Sequence, residues 1–139
     1  TLLTLLQQPL TTANAQKIKA SEVPAAVTAK FASLYPNVKK LKWEKEGANY
    51  EAEFEVNEVE TSVNFDATGN FLESEIDVAK TALPSAANDY LAKNAPGVKV
   101  KEVSKITDAS GKITWEAETG KLDYIFDENG NFIKTVEGD

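Results

Sequence analysis

The chain writes three passages twice. VPAAVTAKFASLYPNV at Val23–Val38 returns as LPSAANDYLAKNAPGV at Leu83–Val98, YEAE at Tyr50–Glu53 as WEAE at Trp115–Glu118, and FDATGNF at Phe65–Phe71 as FDENGNF at Phe126–Phe132. The offsets are 60, 65 and 61 residues, and the order is kept. Conserved order and spacing over three blocks imply one supersecondary unit built twice. The drift in offset implies a longer first hairpin and a shorter second hairpin in the second copy.

Each copy opens with a helical pattern. Val23, Val27, Phe31 and Leu34 fall on one stripe, Pro24 lies in the first turn, and Ser21 is a good N-cap. Tyr35-Pro36 ends the helix, because the residue before proline avoids the helical region. The second copy repeats this with Leu83, Pro84, Ala87, Tyr90 and Leu91, closing at Ala95-Pro96-Gly97.

Alternation of apolar and charged residues follows each helix, the mark of half-buried strands. In LKWEKEGANYEAEFEV a two-residue loop at Gly47-Ala48 pairs Trp43 with Ala52 and Leu41 with Phe54. The same register sets Lys42 against Glu53 and Lys40 against Glu55 on the other face, as cross-strand pairing favours. Glycine at the first loop position suits a type II′ turn. A loop at Asn57-Glu58 then pairs Ala52 with Val63 and Tyr50 with Phe65. In the second copy a loop at Gly120-Lys121 pairs Ala117 with Tyr124 and Trp115 with Phe126. The expected fold is α+β: a tandem repeat of α-β-β-β-β units, residues 16–80 and 81–139, forming an antiparallel sheet with its helices packed on one face.

Asp66-Ala67-Thr68-Gly69 and Asp127-Glu128-Asn129-Gly130 sit between the third and fourth strands of each copy. Asp first and Gly fourth fit a type I turn with a left-handed glycine, the carboxylate accepting N–H groups of its own turn. A calcium loop needs six to eight oxygens, and the residues around these glycines do not supply them. These are read as corners, with no metal and no cofactor.

The chemical inventory is narrow. There is no Cys, His or Met, which removes thiolate nucleophiles, Ser-His-Asp triads, imidazole bases and the usual zinc ligands. Carboxylates, Lys, Tyr and hydroxyls remain. All 15 basic residues are Lys against 22 acids, net charge −7, which disfavours nucleic acid and anionic membrane surfaces. Glu51, Glu53 and Glu55 form a carboxylate ladder on one strand face. It reads as a solvated face neutralised by Lys40 and Lys42 rather than an acid–base pair. Trp43, Trp115 and Tyr50 have the parity of core residues under the helix rather than of a sugar-stacking platform.

Compartment is read from TLLTLLQQPLTTANAQ. Leucines at 2, 3, 5 and 6, then Ala13-Asn14-Ala15, resemble the end of a secretory signal peptide cleaved after Ala15. Residues 1–15 are thus expected to be a signal remnant, the mature chain starting at Gln16 in the periplasm or outside the cell.

Tandem α-β-β-β-β units with VP…LYPNV, YEAEF and FDxxGNF behind an export signal resemble the PepSY-like proteins, over about Ser21 to Asp139. Their fold is similar to that of the β-lactamase inhibitor protein. The resemblance implies an exported envelope protein, and a fold relative that binds its target enzyme across a sheet surface and loops. This chain has no cysteines and no match to the inhibitory loop, so β-lactamase inhibition itself is not implied.

The function expected is that of an exported, non-catalytic, inhibitor-like protein-binding module, not an enzyme. The alternative is an extracytoplasmic sensor or binder of cations or cell-wall fragments. The partner is expected to be a protein of the envelope or the exterior, with no nucleic acid and no membrane insertion of the mature chain. Its surface is expected on the helix-free face of the second copy. There parity turns Glu116, Glu118, Asp123 and Ile125 outward, with Phe132 and Val136 beside them as an apolar patch with an acidic rim; the alternative is a β-bulge at Gly130 that resets the parity and buries Phe132.

Overall fold

The computed structural model describes residues 15–138. It divides into two compact units, Thr1–Glu75 and Ile76–Asp139. The first holds β1 (Ala15–Ile18), a 3-10 turn at Ala20–Glu22, α1 (Ala25–Leu34), β2 (Lys39–Glu46), β3 (Asn49–Val56) and β4 (Val59–Phe65). The chain crosses the boundary inside β5 (Phe71–Val78). The second unit has a 3-10 turn at Lys80–Ala82, α2 (Ser85–Asn94), β6 (Glu102–Asp108), β7 (Ile113–Glu118), β8 (Leu122–Asp127) and β9 (Phe132–Glu137). Within each unit the strands lie in chain order, and the neighbours β1–β2, β2–β3, β3–β4, β6–β7, β7–β8 and β8–β9 pair antiparallel. The class is α+β.

β1 is an addition to the sequence reading. Its Gln16 faces Lys45 and its Ile18 faces Trp43. The signal segment expected at 1–15 falls otherwise on residues 1–14, outside the described residues.

The helices start later than expected. Ser21 lies in the 3-10 turn, and Pro24 is the N-cap residue of α1, as Pro84 is of α2. Proline suits this entry because its fixed φ matches and no N–H is lost from the ladder. Val27 and Phe31 are buried, with Val23 just ahead of the helix, whereas Leu34 is exposed. α2 buries Ala87 and Leu91.

Three hairpin registers follow the charge and apolar parity of the sequence. Trp43 faces Ala52, Ala52 faces Val63, Tyr50 faces Phe65, Ala117 faces Tyr124 and Trp115 faces Phe126. Gly47 has φ +61, while Asn57 and Glu58 both have positive φ, so the two short loops differ in type. The expected Leu41–Phe54 pair does not form. Lys40 takes φ +57 in a bulge between Lys39 and Lys42, which leaves Leu41 40% exposed. The bulge still delivers Lys40 Nζ to Glu55 at 3.2 Å.

Each unit lays its helix on one face of its own strands. Phe31 meets Trp43, Phe54 and Phe65 edge-on in the first. In the second, Leu83, Ala87 and Leu91 pack with Val103, Ala117 and Phe126. Apolar side chains on the helix stripe and on alternate strand positions thus exclude water together, the main source of stability in a chain this size.

The corner turns behave as hydrogen-bonded loops. Asp66 Oδ1 accepts from the N–H of Thr68 and of Asn70 and from the Thr68 hydroxyl, at 2.9, 3.0 and 2.7 Å. Asp127 Oδ1 accepts from the N–H of Asn129 and Asn131. A third turn of this kind is Asp108-Ala-Ser-Gly, whose carboxylate accepts from the N–H of Ser110 and Lys112.

Candidate functional site

The outward patch expected on the second unit does not assemble. Cross-strand neighbours share a face, so Ser104, Glu116, Ile125 and Lys134 form one row, and Glu102, Glu118, Asp123 and Val136 the next, all opposite the helix. Ile125 and Glu116 are fully buried and Asp123 is buried; Glu118 and Val136 are half-buried. Phe132 is elsewhere. A register shift between Ile125 and Phe126 inserts Ile133 as an extra residue, so that Phe126 faces Phe132 and Ile125 faces Lys134. The bulge reverses parity and brings Phe132 to the helix side, stacked on Tyr90 with ring centroids 4.3 Å apart. Phe71 has the corresponding place in the first unit, against its core, not turned away from it.

Glu118 is pushed up to about 7, first by burial and then by the carboxyl of Glu102 beside it. Glu116, Glu118 and Asp123 present carboxylate oxygens within 4.8 Å of one another. Crowded, half-dry carboxylates disfavour the charged form, as any low-dielectric pocket does.

The first unit carries a stronger version. Glu44 faces Glu51, and Glu51 faces Asn64, a row across three strands on the helix-free face. Glu53 follows one step along β3 on the same side. Glu51 is not the solvated residue expected of it: it is fully buried, and its carboxyl is pushed up to about 10, first by burial and then by Glu53. Asn64 is 1% exposed, and neither its Nδ2 nor its Oδ1 has a hydrogen-bond partner among the described residues. Sequence could not flag these groups, since alternating Glu on a strand reads as a wet face. A cleft of ≈ 570 Å³ opens beside the Lys40 bulge, lined among others by Leu41, Phe54, Glu55 and Thr61.

The corner aspartates are occupied by their own loops. Asp66 is held down at about 2, chiefly by the Thr68 hydroxyl; Asp108 is lowered chiefly by the Ser110 hydroxyl, and Asp127 chiefly by the backbone N–H of Asn131.

Two compact helix-on-strand units, rich in buried carboxylates, define a small α+β fold. The chain belongs to the PepSY-like family: the family described as "Putative beta-lactamase-inhibitor-like, PepSY-like" matches residues 10–72 and 49–134. Among solved structures it is similar to a DUF2874 family protein of Bacteroides uniformis, with 23% identity, TM-score 0.73, and 83% of this chain and 89% of that one covered. A BLIP-like protein of Bacteroides fragilis matches with 26% identity and TM-score 0.64, covering 84% and 89%. A protein of Bacteroides eggerthii described as "putative periplasmic" matches with 18% identity and TM-score 0.70, covering 83% and 88%. No curated protein matches the chain in sequence.

Proposed function

We propose that the chain is two copies of one α-β-β-β-β unit acting as a non-catalytic, inhibitor-like protein-binding module. It works in the periplasm or outside the cell. The Ala13-Asn14-Ala15 site and the "putative periplasmic" relative support this compartment. The BLIP-like relative supports the inhibitor-like mode.

One observation carries the placement of the surface. β9 is the last strand in the order, and it presents Phe132 at 37% and Ile133 at 45% exposure. An edge strand offers unpaired N–H and C=O groups, and proteins normally blunt such edges with charge. β9 carries Lys134, Glu137 and the bulge at Ile133, yet its first two residues still expose large apolar side chains. A protein partner adds a strand to β9, and its side chains cover Phe132 and Ile133, with Val136 and Glu118 at the rim. Ile125, Glu116 and Asp123 support this strand from within and are not themselves touched.

The test places a photo-cross-linker at Thr135 of the full chain and exposes it to envelope extract of the source organism. A discrete cross-linked protein is expected, lost in Ile133→Asp with the melting temperature unchanged. Equal cross-linking in Ile133→Asp, or none from Thr135 while a cross-linker on β1 captures a partner, overturns the placement.

A further inference from the structure

We propose that the helix-free face of the first unit is a binding site for one divalent cation, Ca²⁺ by its donor set, formed by Glu44, Glu51, Glu53 and Asn64.

Reach comes first. The carboxylate oxygens of Glu44, Glu51 and Glu53 lie within 4.8 Å of one another. Two oxygens bound to one Ca²⁺ at about 2.4 Å are separated by at most about 4.8 Å, so three such groups can share one ion with small rotamer changes.

Acidic clusters alone are common, and the amide of Asn64 makes this one different. Asn64 is 1% exposed and stands directly across from Glu51, with neither end of its amide satisfied among the described residues. A buried primary amide in that state is costly, roughly 1–3 kcal/mol for each group left without a partner. Replacing it with an aliphatic residue of similar size would remove the cost. A cation explains its presence: Oδ1 ligates the ion, and Nδ2 donates to a neighbouring ligating carboxylate. All four donors are hard oxygens with no nitrogen or sulfur among them, which selects Ca²⁺ over zinc or copper. Mg²⁺ demands a tight octahedron and holds its waters, a poor match to a buried strand face.

The second unit supplies an internal comparison. The residue facing Glu116 there, at the place of Asn64, is Ile125, and the partner facing Ile125 is Lys134. Ser104 stands at the place of Glu44. Ile125 offers no donor and Lys134 brings positive charge, so the Glu116–Glu118–Asp123 group lacks what makes the first site a cation site. On the first unit, Glu73 occupies the β5 position that corresponds to Lys134, and it is fully buried. Among the described residues, Lys17 faces Glu44 and Lys42 faces Glu53, and both are exposed.

Calorimetry of the chelator-treated full chain with CaCl₂, together with thermal melts, tests this. One Ca²⁺ per chain is expected, with a melting temperature several degrees higher at saturation. Asn64→Ile, which copies the second unit, and Glu53→Gln should each weaken binding about tenfold or more. Glu118→Gln and Glu55→Gln should leave it unchanged. If Asn64→Ile does not fold, Glu53→Gln at its half-buried position decides the matter. No heat and no melting shift up to roughly 10 mM CaCl₂, beyond the weakest extracellular calcium modules, overturns the site. So does binding that survives Glu53→Gln and is lost in Glu118→Gln, or an equal shift with MgCl₂ in every variant, which is charge screening.

Discussion

Three glycines separate backbone strain from crowding. Gly69, Gly111 and Gly130 close the three Asp turns with φ of +90, +89 and +92. An alanine at any of them meets the same conformational penalty, about 1–2 kcal/mol. Space then differs. A Cβ at Gly69 would lie 2.7 Å from the Ala26 carbonyl oxygen, and one at Gly130 would lie 2.8 Å from Pro84 Cβ and 3.0 Å from Ala87 N. At Gly111 nothing lies within 4 Å. The blocking atoms are backbone and short, rigid Cβ atoms of the helix start, so relief means shifting the helix start, an overpacking cost of about 1–3 kcal/mol more. Gly111→Ala should therefore cost about 1–2 kcal/mol, and Gly69→Ala and Gly130→Ala about 2–5 kcal/mol. Urea unfolding of the full chain reads this, with Trp43 reporting on the first unit and Trp115 on the second. Three equal losses would show that the turns bear on nothing but their own φ, and the tucking argument would fail.

Stability in cation-free buffer should fall from about pH 5 to about pH 8. Glu51 and Glu118 keep their protons in the folded chain up to about 10 and about 7, while the unfolded chain releases them near the ordinary value, so the stability present below about 4.5 is lost as pH rises. Glu51→Gln should flatten that slope and raise the melting temperature at about pH 8; a rising or flat wild-type profile contradicts the assignment. The corner aspartates act with opposite sign. Asp66 is lowered to about 2, so its contribution is intact above about 4 and lost as pH falls towards 2. Asp66→Asn should thus be less stable than wild type at neutral pH and converge with it near pH 2 in acid titrations followed by circular dichroism; a gap that is constant with pH would mean that charge plays no part.

The hairpin registers were legible because two signals agreed: apolar parity and opposite charges across Lys42–Glu53 and Lys40–Glu55. Bulges were not. Lys39-Lys40 carries no alternation, so the left-handed turn at Lys40 has no sequence mark, and Leu41 lost its partner without warning. The extra residue at Ile133 moved Phe132 to the opposite face from the one parity assigned; Gly130 marked that a bulge could fall here, but not that it would. The third turn at Asp108 had the Asp-x-x-Gly mark but lacks the following Asn-Phe that drew attention to the other two. The buried acids were the deepest gap. A strand reading Glu-x-Glu has the same letters whether its face is wet or dry, so Glu51, Glu73 and Glu116 could be told from surface glutamates only by their neighbours in space.

The tuck of Gly69 against Ala26 has a kinetic side. A helix of ten residues is marginal alone, so α1 persists only when its apolar stripe is covered. The cover is completed by a hairpin tip more than forty residues downstream, a non-local closure of the kind that slows folding. A chain made N-terminus first therefore presents α1 long before its lock arrives. Until Gly69 has emerged, the start of α1 lacks the hairpin tip that packs against Ala26.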